Sequence, residues 1–145
     1  MVKQIEGKPN LLIIEDDYDN QKFLYTFLKS YFNIDIGDSD EMFYEFLHKN
    51  DYDVIIMDIS IKGKKNGLEL IKELKSKNET KDIPVVCYTA HAFNTDRINA
   101  LEAGSDIYIS KPSDIYVLLK TLFTLINKRK NKISEDFTNT NFAVA

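Results

Sequence analysis

At 145 residues, 43% hydrophobic and 29% charged, the chain has the size and balance of one globular domain with a hydrophobic core of its own. A net charge of −4 and an isoelectric point near 5.2 argue against a general binder of nucleic acid or anionic membrane. One cysteine, Cys87, excludes an internal disulfide and fits a reducing cytosol. The polar leader 1–9 has no apolar core of a signal peptide, and no apolar run approaches a membrane span, so a cytoplasmic protein is expected.

After the leader, Leu11-Leu12-Ile13-Ile14 reads as a strand buried on both faces, and it ends in Glu15-Asp16-Asp17. Phe23, Leu24, Phe27, Leu28 and Tyr31 then recur at helical spacing. Ile34-Asp35-Ile36 alternates as an edge strand with one wetter face would, and residues 37–40 turn the chain. Met42, Phe43, Phe46 and Leu47 mark a second helix. The run Val54-Ile55-Ile56-Met57 is a third strand and stops on Asp58. A lysine-bearing loop, residues 62–67, leads to a helix anchored by Leu68, Ile71 and Leu74. Residues 84–88 form a fourth strand ending at Thr89. The fourth helix, 94–103, is poor in apolar residues, with Ile98 and Leu101 as its expected anchors and Gly104 as its C-cap. Ile107-Tyr108-Ile109 precedes Ser110-Lys111-Pro112. A last helix packs through Ile115, Leu118, Leu119, Leu122 and Ile126. Residues 129–145, rich in Asn and Thr, read as a flexible tail.

Strand and helix alternate five times, which predicts an α/β fold with a parallel sheet covered on both faces. The second strand, the least apolar, belongs at an edge. In such a sheet the strand ends share one rim, where open α/β folds bind their ligands. Asp16 and Asp17, Asp58, Thr89 and Lys111 stand at four of those ends. Carboxylates converging there repel one another. A hard divalent cation relieves this, and Mg²⁺ favours few carboxylates together with waters and a phosphate oxygen. With that charge offset, Asp58 can approach a phosphoryl group as a nucleophile, while Lys111 and the Thr89 hydroxyl suit its equatorial oxygens. Any one acid at a strand end is more often a solvated cap than a ligand; five suitable residues on four ends of one rim are harder to dismiss.

These motifs resemble the response-regulator receiver domain of two-component signalling, over residues 10–128. The resemblance rests on Leu-Ile-Ile-Glu-Asp-Asp at 12–17, Val-Ile-Ile-Met-Asp at 54–58, Gly67-Leu68-Glu69-Leu70, Thr89-Ala90-His91-Ala92 and Ile109-Ser110-Lys111-Pro112. It implies a flavodoxin-like, doubly wound five-stranded sheet in the order 2-1-3-4-5 with five helices. It further implies Asp58 as phosphoacceptor, Asp17 as direct Mg²⁺ ligand, Asp16 as a ligand through water and the Ser60 carbonyl as another. Thr89 is then the switch hydroxyl, Lys111 the phosphoryl-binding cation, Tyr108 the aromatic that turns inward with Thr89, and Lys111-Pro112 a cis bond.

Two features depart from the family pattern. Lys62 stands where proline is usual, and Gly67 falls one residue late, so the loop after Asp58 is longer, with Gly63 available for a turn. Phe43 and Tyr44 replace the usual small-then-aliphatic pair.

The implied function is a stand-alone receiver that takes a phosphoryl group from a sensor histidine kinase or a histidine phosphotransfer protein. It catalyses only its own phosphorylation and dephosphorylation. Its partner binding would switch through the fourth helix, fifth strand and fifth helix, toward a downstream protein or a second copy, without contacting nucleic acid or membrane directly. Tyr116 and Phe123 are candidates for that face, or for peripheral core. His91 is a candidate neighbour of the hydrolytic water. Three rivals stand beside this reading. A receiver-like scaffold would work without phosphate. An aspartate-based phosphatase would want an acid where Ser60 stands. A flavin module would need a phosphate cradle where Glu15-Asp16-Asp17 would repel one.

Overall fold

A computed structural model of the chain describes residues 7–90 and 93–144, with side chains to residue 138. The elements run β1 (Asn10–Ile14), α1 (Tyr18–Leu28), β2 (Asn33–Gly37), α2 (Asp40–Lys49), β3 (Val54–Met57), α3 (Gly67–Ser76), β4 (Val85–Thr89), α4 (Asn94–Ala103), β5 (Ile107–Ser110) and α5 (Ile115–Val144). The five strands form one parallel sheet in the order β2-β1-β3-β4-β5, the expected flavodoxin-like arrangement.

Alternating residues of the central strands feed two cores. Leu12, Ile14, Ile55, Met57, Val85 and Cys87 face α2, α3 and α4 and pack with Phe43, Leu70, Ile71 and Ala100. Leu11, Ile13, Val54, Ile56, Val86 and Tyr88 face α1 and α5 and pack with Leu24, Leu28, Leu118, Leu122 and Ile126. Burial on both faces explains the unbroken apolar runs of β1, β3 and β4, and the partial burial of β2 marks it as the edge.

Caps fix where helices begin. Asp17 accepts from the Asn20 amide at 2.9 Å to start α1, Ser39 from Met42 at 3.2 Å to start α2, and Asn66 forms a capping box with Glu69 at α3. Gly104 ends α4 at φ 110°, as its sequence position suggested.

Several expectations are corrected by packing. On α1 only Leu24 and Leu28 are buried; Phe23, Phe27 and Tyr31 are more than 40% exposed. Ile98 and Leu101, the expected anchors of α4, are exposed, and Ala100 is the residue buried there. Of the two residues read as docking face or peripheral core, Phe123 is peripheral core, stacked on Phe32 at 5.0 Å between centroids, whereas Tyr116 is 70% exposed. The Phe43–Tyr44 pair divides its work. Phe43 fills the core, and the Tyr44 hydroxyl joins Glu73 and Lys65 at the surface.

Residues 129–144, expected as a flexible tail, continue α5 as helix. No glycine or proline interrupts them. The Arg129 guanidinium donates to the Tyr52 carbonyl at 3.2 Å, and Lys132 lies 3.9 Å from Asp82, so the first turn past residue 128 is tied to the domain. Among the described residues, no helix is long and apolar enough to cross a membrane.

Candidate phosphoacceptor site

Strand register builds the site. Ile14 pairs with Met57 across β1 and β3, so the next residue on each chain, Glu15 and Asp58, emerges side by side at the carboxyl edge. The Asp58 amide donates to the Ile14 carbonyl at 2.9 Å and the Glu15 amide to Gly37 at 2.9 Å, which holds both main chains on the sheet frame. Carboxylate oxygens of Glu15, Asp16 and Asp58 lie within 4.8 Å of one another. This three-acid group could hold a metal ion; its hard, all-oxygen donor set suits Mg²⁺.

Asp17 stands apart from that group. Two residues past the strand, the chain has already turned into α1, and Asp17 Oδ2 caps it. The three-acid group thus takes in Glu15 and not Asp17, which the resemblance implies as the direct ligand. Register could have found Glu15: counting equal apolar runs, 11–14 against 54–57, pairs position 15 with position 58.

Lys111 closes the site from β5. Its ammonium is ion-paired with Glu15 and lies 3.1 Å from Asp58 Oδ2. The Lys111 amide donates to the Thr89 carbonyl at 2.8 Å, and the side chain passes 5.4 Å from the Tyr88 ring centroid. The Lys111-Pro112 bond is cis, as the resemblance implied. Thr89 is fully buried at the end of β4, and Ser60 follows Asp58 closely, its amide donating to Asp58 Oδ1 at 3.4 Å. Tyr108 is half-buried against the α2–α3–α4 core, and burial raises its phenol above the ordinary range. His91 lies outside the described residues.

The electrostatics follow from burial. Removal from water pushes the Glu15 carboxyl up to about 7, reinforced by the Asp58 charge and opposed by the Lys111 hydrogen bond. Burial alone would lower Lys111, but Glu15 and Asp58 outweigh it and hold its ammonium charged. One buried lysine thus faces a cluster of carboxylates. Such a cluster accepts further positive charge readily and gives Asp58 a route to approach an anionic phosphoryl group.

The family model for the response regulator receiver domain matches residues 11–123. The Regulatory protein VanRB of Enterococcus faecalis is 30% identical over 129 residues, which cover 88% of this chain and 56% of that protein. A crystal structure of a response regulator from Chloroflexus aurantiacus has a TM-score of 0.78 at 26% identity, covering 83% of this chain and 98% of that one. The receiver domain of the sensor histidine kinase PA1611 from Pseudomonas aeruginosa has a TM-score of 0.76 at 24% identity, covering 83% and 99%, and carries a magnesium ion coordinated in its active-site cleft. This chain spans about half the length of the curated response regulators it matches, such as VanRB and CusR of Escherichia coli.

Proposed function

Because this chain belongs to the response regulator receiver family, we propose that it accepts one phosphoryl group on Asp58 from a phosphohistidine, in the cytoplasm and with Mg²⁺ bound. One observation carries the reading: the Asp58 carboxylate sits on the sheet rim 3.1 Å from the Lys111 ammonium and within 4.8 Å of Glu15 and Asp16. In the transfer, an Asp58 oxygen forms a bond to phosphorus as the bond from phosphorus to the histidine nitrogen breaks. The electron pair returns to the imidazole, which takes a proton from water. Lys111 would neutralise the charge that spreads over the equatorial oxygens, and the Thr89 hydroxyl would donate to one of them.

Glu15, Asp16 and Asp58, with the Ser60 carbonyl, are the groups that would hold the cation. When bound it offsets their mutual repulsion and the charge of the incoming phosphate. Asp17 is not among them.

The phosphorylated state then changes the α4–β5–α5 face and so the affinity for a downstream protein or a second copy of the chain. A new charge biasing a two-state element is the physical basis. The donor is a histidine kinase or a phosphotransfer protein.

Intact-protein mass after incubation with acetyl phosphate and Mg²⁺ tests this. The parent should gain the mass of one phosphoryl group, and neither Asp58→Asn nor parent treated with EDTA should gain it. An unlabelled parent, with its far-UV spectrum intact, would favour the phosphorylation-independent scaffold instead.

A further inference from the structure

We infer that Asp40, outside the site, is a positioning residue for it: its carboxylate clamps the β3–α3 loop and so fixes Ser60 relative to Glu15 and Asp16. The inference rests on the receiver reading above, since Ser60 matters as part of the cation's ligand set.

The clamp is built from the two features in which this loop departs from its family. Without proline at position 62 and with one extra residue before Gly67, the loop needs another restraint, and main-chain bonding supplies it. Ser39 and Lys62 form an isolated parallel bridge. The Lys62 amide donates to the Asp38 carbonyl at 3.0 Å, and the Asp40 amide donates to the Lys62 carbonyl at 3.2 Å. Asp40 Oδ2 then accepts from the amides of both Lys64 and Lys65, each at 3.0 Å, while Oδ1 accepts from the Glu41 amide at 2.8 Å. Gly63 makes the fit possible. Its φ of 106° suits glycine, and a Cβ there would lie 1.9 Å from Asp40 Oδ1.

The restraint reaches the site from two directions. On the loop, the Gly67 amide donates to the Ile59 carbonyl at 2.8 Å. Ser60 therefore lies between two fixed points, Ile59 and Lys62. On the sheet, residues 38–40 follow Gly37 directly, and the Gly37 carbonyl holds the Glu15 amide at 2.9 Å. Asp40 thus joins the loop carrying Ser60 to the strand ends carrying Glu15 and Asp16. Groups bonded directly to a metal's ligands typically govern affinity by ten- to a hundredfold, and Asp40, acting one step further out through the loop, belongs at the low end of that range.

Isothermal titration of Mg²⁺ into parent, Asp40→Ala, Asp40→Asn and Gly63→Ala proteins tests this, with amide exchange read in parallel. Asp40→Ala should weaken Mg²⁺ binding about tenfold and expose the Lys64 and Lys65 amides to exchange, while labelling of Asp58 at saturating Mg²⁺ keeps the parent rate. Asp40→Asn keeps an acceptor oxygen for those amides and should restore most of the affinity. Gly63→Ala opens the same clamp from the loop side and should reproduce the loss. Asp53→Ala is the control for simple destabilisation, because that carboxylate accepts from the Asn10 amide at 2.7 Å at the opposite end of the sheet. Parent-like Mg²⁺ affinity in Asp40→Ala, or an equal loss in Asp53→Ala, overturns the clamp. A parent that binds no Mg²⁺ overturns the metal reading and the clamp together.

Discussion

Asp16 and Asp17 are neighbours with opposite tasks. Asp16 joins Glu15 and Asp58, and Asp17 caps a helix. Their variants should separate cleanly in thermal melts. Asp17→Ala should cost about 1 kcal/mol, roughly 2–4 °C for a domain of this size, and leave the response to Mg²⁺ intact. Asp16→Asn should remove most of that response, which in the parent amounts to about 1.4 kcal/mol at ten times the dissociation constant. Melts with and without Mg²⁺ at fixed ionic strength decide it, and an Asp17 variant that no longer responds to Mg²⁺ refutes the assignment. Three consecutive acids hid this division in the sequence, because identical chemistry at 16 and 17 is told apart only by where β1 stops and α1 starts. Cys87, fully buried in β4, offers a second residue-scale prediction. Burial, then the nearby Asp58 charge, pushes its thiol up to about 12. The unfolded thiol ionises near 9, so in the interval between these values the folded state holds the extra proton, and stability falls as pH rises. At pH 8 a disulfide reagent should therefore label Cys87 only through unfolding, with a rate that follows added urea; prompt labelling of native protein would contradict the burial.

α4 is anchored by one small buried side chain, Ala100, with Ile98 and Leu101 exposed. Few buried contacts mean a low cost of displacement. Beryllofluoride with Mg²⁺ should accordingly change amide exchange most between Thr89 and Tyr108, and a response confined to α2 and α3 would place the output face elsewhere. The sparse apolar content of α4 was legible in the sequence. Its choice of Ala100 over larger neighbours was not, because it depends on how closely the helix approaches the sheet. At the other end of the chain, α5 shows where propensity alone misleads. Residues 129–144 carry no conventional core stripe, yet the helix persists past Lys128, where Arg129 reaches the Tyr52 carbonyl. Truncation after Phe137 should leave the melting temperature nearly unchanged. Truncation after Lys128 should cost about 1–2 kcal/mol through the lost charged hydrogen bond, read as a drop of roughly 2–5 °C.

At the scale of the whole molecule, most of the architecture was readable because a doubly wound sheet writes itself plainly: β1, β3 and β4 must be apolar on both faces, and β2 need not be. The rim residues Asp58, Thr89 and Lys111 were equally legible, each the first polar residue after or at the end of a strand. Glu15 was not, since its role comes from lateral register between two strands rather than from either strand alone. The loop from Asp58 to Gly67 was the least legible part, as its shape depends on Asp40, far away in sequence. Gly67 itself has a consequence beyond that loop. A Cβ at this position would lie 1.9 Å from the Asp58 carbonyl oxygen, so the first turn of α3 rests directly on the Asp58 main chain. On its other side the Asp58 amide donates to the Ile14 carbonyl at 2.9 Å. The Asp58 main chain is thus flanked by α3 on one side and bonded to β1 on the other. On the proposed reading, a charge added at Asp58 is expected to displace Thr89, at the end of β4, and Lys111, just past β5, rather than the Asp58 main chain. The direction of such a displacement would then be set by the methyl group that Gly67 lacks.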